Sequence, residues 1–119
     1  LVVAQAAVTA LVSAFGSSML RLELRDQPTG YEAYLVTPLA NEEAKRETCR
    51  IEDTHPLGRL FDLDVIDTAG VPVSRESIGL SPRKCLVCDN EARFCMRNRT
   101  HTMAELTAKI DEMIEAYVR

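Results

Sequence analysis

The chain has no tryptophan, and only three tyrosines and three phenylalanines among its 119 residues. Aromatic platforms for stacking single-stranded nucleic acid are therefore not expected. It also lacks a basic excess. Fourteen Lys and Arg face 18 Asp and Glu, giving a net charge of −4, which argues against a nucleic-acid polymer as partner. No apolar run approaches the roughly 18 residues of a membrane span, so no membrane partner is expected. Residues 1–11 are apolar and Ala-rich but have no basic n-region, so they do not read as a signal peptide. Asn98-Arg99-Thr100 matches a glycosylation sequon, but a cytoplasmic setting is expected, which makes the match incidental. There is no internal repeat and no low-complexity segment. What remains is ordinary for a globular protein: 46% hydrophobic and 27% charged residues, enough for one domain with a modest core.

The pattern along the chain predicts an α+β fold. A helix is expected over residues 1–15, with Val8, Leu11, Val12 and Phe15 on one face and Gly16-Ser17-Ser18 ending it. Residues 19–25 alternate as a half-buried strand, with Leu20, Leu22 and Leu24 on one side. A turn at 26–30 leads to a second strand at 31–36, so the two form a hairpin. Thr37 and Pro38 read as N-cap and first residue of a helix running to about Arg50. Strands are expected at 60–66 and 71–74, a loop at 76–84 and a short helix at 88–97. Thr102 and Glu105 form a capping-box pattern before a last helix. Met103, Leu106, Ile110, Met113, Ile114 and Tyr117 make its apolar stripe. The expected architecture is an antiparallel or mixed sheet with helices packed on one side.

The most telling segment is Gly58-Arg59-Leu60-Phe61-Asp62-Leu63-Asp64-Val65. On a strand, Phe61, Leu63 and Val65 point one way and Asp62 and Asp64 the other. Two carboxylates on one face repel, and a hard cation such as Mg²⁺ relieves that repulsion. This arrangement suits nucleotidyl or phosphoryl transfer. The alternative is the solvated face of an edge strand. Gly58 offers close backbone approach, and Arg59, Arg75, Arg83 and Lys84 offer phosphate contacts. Lys45 is a weaker phosphate candidate, and a solvated helix charge is the favoured reading for it.

Cys85, Cys88, Cys95 and His101 have the ligand types and number of a structural zinc site. The spacing of the second pair is not standard, and the thiols could equally be small buried hydrophobes. A redox CxxC lacks its βαβ context, and a structural disulfide does not suit a cytoplasmic enzyme. His101 could also be a surface residue beside the cap at Thr102.

The run from His55 to Ile66 resembles the signature of the apo-citrate lyase phosphoribosyl-dephospho-CoA transferases, also called citrate lyase holo-acyl-carrier-protein synthases. So do Ser74-Arg75 and Arg83-Lys84-Cys85-Leu86-Val87-Cys88, with Ala92, Cys95, Arg97, His101 and Glu105-Leu106. The resemblance runs from about Thr29 to the C-terminus. It implies a nucleotidyltransferase-like fold and the transfer of a phosphoribosyl-dephospho-CoA group from 2′-(5″-triphosphoribosyl)-3′-dephospho-CoA. The implied acceptor is a serine of the citrate lyase acyl carrier protein, and diphosphate leaves. Asp62 and Asp64 would hold Mg²⁺ or supply the base, and Arg59, Arg75 and Arg83 would clamp phosphates. The family carries a further N-terminal segment with basic residues, and this chain has no initiator Met. Residues 1–119 are therefore expected to be a single transferase domain lacking an N-terminal segment.

Two other functions stay open on residues alone. One is a small zinc-stabilised binding module without catalysis. The other is a nucleotidyltransferase with a different substrate. The polymerase-type Gly-Ser pair belongs shortly before the acidic strand, and Gly16-Ser17 is far from it.

Overall fold

Alanine at helical spacing shapes the N-terminal packing. A computed structural model describes residues 2–28 and 30–119. Helix α1 is Val2–Phe15. Leu1, which the expected helix included, lies outside the described residues, as does Thr29 in the expected turn. Ala6 and Phe15 are buried, and Val12 is 37% exposed. Of the expected stripe, Phe15 is buried and Leu11 packs against the core while Val12 faces out, and Ala6, Ala7, Ala10 and Ala14 supply the rest of the buried face. Small side chains let a neighbouring helix approach closely, which outweighs the larger area of valine.

Strands β1, Arg21–Gln27, and β2, Gly30–Val36, form an antiparallel hairpin with Gln27 opposite Gly30. Among the described residues this is the only sheet. The half-buried face expected of residues 19–25 is not formed. Leu20 and Leu24 are 68% and 62% exposed, and Tyr31, Tyr34 and Val36 are exposed too.

Helix α2 is Asn41–Thr54. It starts later than expected because Thr37 Oγ1 accepts from the Leu39 N–H, 3.3 Å away, and closes a local turn instead of capping. Glu42 and Glu43 in the first turn suit the helix dipole, and Arg46 bridges to Glu42 one turn away. His55 is extended before Pro56, which ends the helix.

The strand expected at 60–66 is not formed. A 3₁₀ turn, Gly58–Leu60, takes its start, and Phe61 onward is extended but without a ladder. The Leu63 N–H, which a neighbouring strand would claim, donates instead to Glu52 Oε2 at 3.1 Å. The alternation survives: Phe61 is buried, Leu63 and Val65 are half-buried, and Asp62 and Asp64 are exposed. The strand expected at 71–74 reduces to a single bridge between Ile66 and Pro72, flanked by hydrogen bonds from the Val73 N–H to the Val65 carbonyl and from the Asp67 N–H to the Val71 carbonyl. The expected larger sheet is therefore absent from the described residues, and the α+β architecture rests on one hairpin and four helices.

A further 3₁₀ turn, Glu76–Ile78, interrupts the loop expected at 76–84. Helix α3 is Ala92–Asn98, shorter than the expected 88–97 because residues 84–91 fold into a tight turn. Helix α4 is Met103–Val118, and its capping box is formed as expected. Of its predicted stripe, Leu106, Ile110, Met113 and Ile114 are half-buried, whereas Met103 and Tyr117 are exposed. The core joins α1, α2 and the segment after α2 through Ala6, Ile51, Leu57 and Phe61, with Met113 of α4 against it.

Candidate active site

Helix α2, the segment 62–64, the stretch 75–86 and the helices α3 and α4 surround a cavity of about 550 Å³, a size suited to a drug-sized ligand. Asp62 and Asp64 line it, and so do Lys45, Arg59, Arg75, Arg83 and Lys84. Neither aspartate makes an ion pair among the described residues. The surviving alternation puts both carboxylates on the exposed side of a segment anchored by Phe61 and Leu63.

Beneath the cavity lies a charged network built on Glu52. Its side chain is 4% exposed, and Oε1 accepts from Arg75 Nη2 at 2.8 Å. Oε2 accepts from the Leu63 N–H and lies 3.6 Å from Arg83 Nη1. Arg75 Nη1 donates to Asp53 Oδ1 at 3.0 Å. Burial opposes the charge on Arg75, but the hydrogen bonds it donates to Glu52 and Asp53 win and raise its pKa. Its Nε is buried without a partner. Arg75 is thus spent mostly on carboxylates, with one donor left over.

The remaining predicted cations are placed differently. Arg59 is exposed, and its Nη1 donates to the Cys85 carbonyl at 3.2 Å, which leaves most of its fork free. Arg83 is half-exposed, and its Nη2 donates to the Arg59 carbonyl at 3.0 Å. Lys45 is not the solvated helix charge favoured from sequence. It is 7% exposed, lines the cavity and has no carboxylate within 4.0 Å among the described residues. Its stem is covered while the residue lines the cavity, so a cation without a carboxylate partner stands in the cavity wall. Gly58 does not line the cavity. It is buried, and a Cβ there would sit 2.2 Å from the Glu52 carbonyl oxygen. Close packing on α2 requires this glycine.

The cysteine cluster borders the same cavity through Cys85, Cys95 and His101. Cys85, Cys88, Cys95 and His101 each offer one ligand atom, and the four atoms lie within 4.8 Å of one another. This Cys₃His group could hold a metal ion. All four cysteines of the chain are free thiols, and Cys49 sits apart, on the buried face of α2. Burial would raise the Cys85 pKa, but the N–H groups of Val87 and Cys88 point at its sulfur and bring it down to about 7. The Asn90 N–H, then His101, lower that of Cys88. Burial, followed by hydrogen bonds to Cys88 and Cys85, pushes Cys95 up to about 11.

Sequence reasoning missed Glu52 and undervalued Lys45. The signal was present: Lys45, Thr48, Cys49 and Glu52 follow i, i+3, i+4, i+7, the buried stripe of an otherwise polar helix.

The protein family described as apo-citrate lyase phosphoribosyl-dephospho-CoA transferase matches residues 2–117. A Vibrio cholerae serotype O1 protein named "Probable apo-citrate lyase phosphoribosyl-dephospho-CoA transferase" is 39% identical over 112 residues, covering 93% of this chain and 63% of the relative. A Streptococcus pyogenes serotype M18 protein of the same name is 34% identical over 114 residues, covering 92% of this chain and 59% of the relative. "Protein CitXG" of Haemophilus influenzae is 36% identical over 108 residues, which are 91% of this chain and 23% of that protein. The chain spans about six-tenths of the length of the Vibrio and streptococcal relatives. With a match over nearly its whole length and relatives above one-third identity, the chain belongs to the apo-citrate lyase phosphoribosyl-dephospho-CoA transferase family.

Proposed function

We propose that the cavity is a nucleotidyl-transfer centre. It takes 2′-(5″-triphosphoribosyl)-3′-dephospho-CoA and passes the phosphoribosyl-dephospho-CoA group to a serine hydroxyl of the citrate lyase acyl carrier protein. A bond forms between the serine oxygen and the phosphorus nearest the ribose. The bond from that phosphorus to the bridging oxygen breaks, and diphosphate leaves.

The observation that carries this reading is the shared cavity wall: free carboxylates at Asp62 and Asp64 beside unpaired or half-free cations at Lys45, Arg59 and Arg83. Hard oxygen donors next to a phosphate-binding wall fit Mg²⁺, with Asp62 and Asp64 as its protein ligands. Bound there, the ion would supply charge neutralisation for the phosphates and the leaving diphosphate. Lys45 and Arg59 bind and orient the phosphates, with Arg83 as a further donor. One of the two carboxylates accepts the serine proton. Soft sulfur and imidazole donors suit zinc at the cysteine cluster, where it would hold the turn without touching the reacting groups.

No helix among the described residues is long and apolar enough to cross a membrane. A cytoplasmic setting, where a carrier subunit and a CoA-derived donor meet, fits the reading. The test is to incubate the protein with apo acyl carrier protein, the donor and Mg²⁺, and to weigh the carrier. A mass increase equal to the phosphoribosyl-dephospho-CoA group is expected. An unmodified carrier beside a positive control would remove the assignment.

A further inference from the structure

The Cys₃His cluster shares a wall with the cavity, and one hydrogen bond links the two. Arg59 reaches the Cys85 carbonyl, and Cys85 is the first residue of the cysteine turn. We propose that Cys85, Cys88, Cys95 and His101 bind one zinc ion, and that this ion holds Arg59 in place for the donor's phosphates. The second half of this proposal rests on the transfer reading above.

The cluster is built as a metal turn. Sulfurs on a tetrahedral zinc sit about 3.8 Å apart, given Zn–S bonds of about 2.3 Å. Here Cys88 Sγ is 3.5 Å from Cys95 Sγ and 3.4 Å from His101 Nε2. The sulfurs are too far apart for a disulfide, which needs about 2.05 Å. The Val87 N–H donates to Cys85 Sγ at 3.4 Å, so the backbone is already folded around the sulfur. The Cys85 N–H donates to the Asn90 carbonyl at 2.7 Å, and Lys84 bridges to Glu91, which closes the turn.

The histidine is also prepared. With Nε2 toward the sulfurs, its Nδ1 lies 3.6 Å from Glu105 Oε2. A carboxylate behind a ligating imidazole fixes its tautomer and ring orientation. Glu105 is itself held by the capping box with Thr102. A cluster of merely buried thiols would not need this carboxylate. The turn then has two outputs on the cavity: the Cys85 carbonyl fixes Arg59, and the Arg59 carbonyl in turn accepts from Arg83.

The test uses cobalt, zinc and inorganic diphosphate with Mg²⁺ as probes. Metal-stripped protein titrated with Co²⁺ should take up one ion per chain, with the intense visible absorption of a tetrahedral thiolate site. Calorimetry should then show diphosphate binding weakened at least about tenfold by zinc removal, the loss expected of one charge-assisted phosphate contact. In the Arg59→Ala background, zinc removal should change little further. Glu105→Gln provides a second route if the stripped protein unfolds. Glutamine at that position keeps the capping box, but zinc affinity should fall by about 10–100-fold, and diphosphate affinity should follow zinc occupancy. Absence of the tetrahedral cobalt spectrum overturns the metal site. A zinc effect of equal size in wild type and Arg59→Ala overturns the positioning role. Failure of zinc-loaded wild type to bind diphosphate also overturns that role and removes the donor site, while the cobalt result still decides the metal.

Discussion

Glu52 and Arg75 form an ion pair at 2.8 Å with side chains only 4% and 8% exposed, and the same carboxylate holds the Leu63 N–H. This buried pair ties α2 to the segment carrying Asp62 and Asp64. Removing the charge from Glu52 leaves Arg75 buried with only the exposed Asp53 as counter-ion. Glu52→Gln should therefore lose about 3–5 kcal/mol of stability. Urea unfolding measures it. A variant as stable as wild type would mean that water already compensates Arg75.

Asp62→Asn and Asp64→Asn should each slow transfer by about a hundredfold or more, because metal stabilisation of phosphate charge is worth several kcal/mol. Both side chains are exposed, so unfolding curves should stay within about 0.5 kcal/mol of wild type. Near-normal turnover by both variants would sink the assignment of these carboxylates.

Lys45→Met separates function from folding in a way few surface variants can. The side chain is largely covered and makes no ion pair, so a thioether of similar length should fill the same space with little change in stability. Donor affinity should fall at least about tenfold, as for one lost charge-assisted contact. Donor titration at fixed carrier concentration checks this, and an unaltered affinity would take Lys45 out of the binding site.

Gly58→Ala should destabilise by at least about 3 kcal/mol, the upper end of the overpacking range. The added Cβ would meet backbone atoms of Glu52 and Ile51 at 2.2–2.7 Å, and a helix backbone cannot step aside as a flexible side chain can. Thermal melting of the variant is the measurement. A melting curve superimposable on wild type would show that the 58–60 turn can shift away from α2.

Cys49 should resist thiol reagents in the native protein. It is 1% exposed, and burial, opposed by Arg75 and Lys45, raises its pKa, so its thiolate is scarce at neutral pH. Mass-spectrometric mapping after a timed pulse of alkylation should find it unmodified until denaturant is added. Rapid native labelling of Cys49 would show that α2 opens locally.

Much of the local structure was legible in the chain. The hairpin, the capping box at Thr102 and Glu105, and the outward alternation of Asp62 and Asp64 all follow from side-chain chemistry over a few residues. The ligand set Cys85, Cys88, Cys95 and His101 could be named because the donors themselves are distinctive. Tertiary structure decided the rest. It left residues 61–64 outside any ladder, because Glu52, eleven residues before Leu63, took the amide a neighbouring strand would have used. It buried Lys45, which reads as solvent-facing when only neighbouring charges are counted. It turned Gly58 from a ligand contact into a packing contact. Periodicity reports which side chains share a face. Which neighbour covers that face, and which distant carboxylate satisfies a given N–H, depends on the closure of the whole chain.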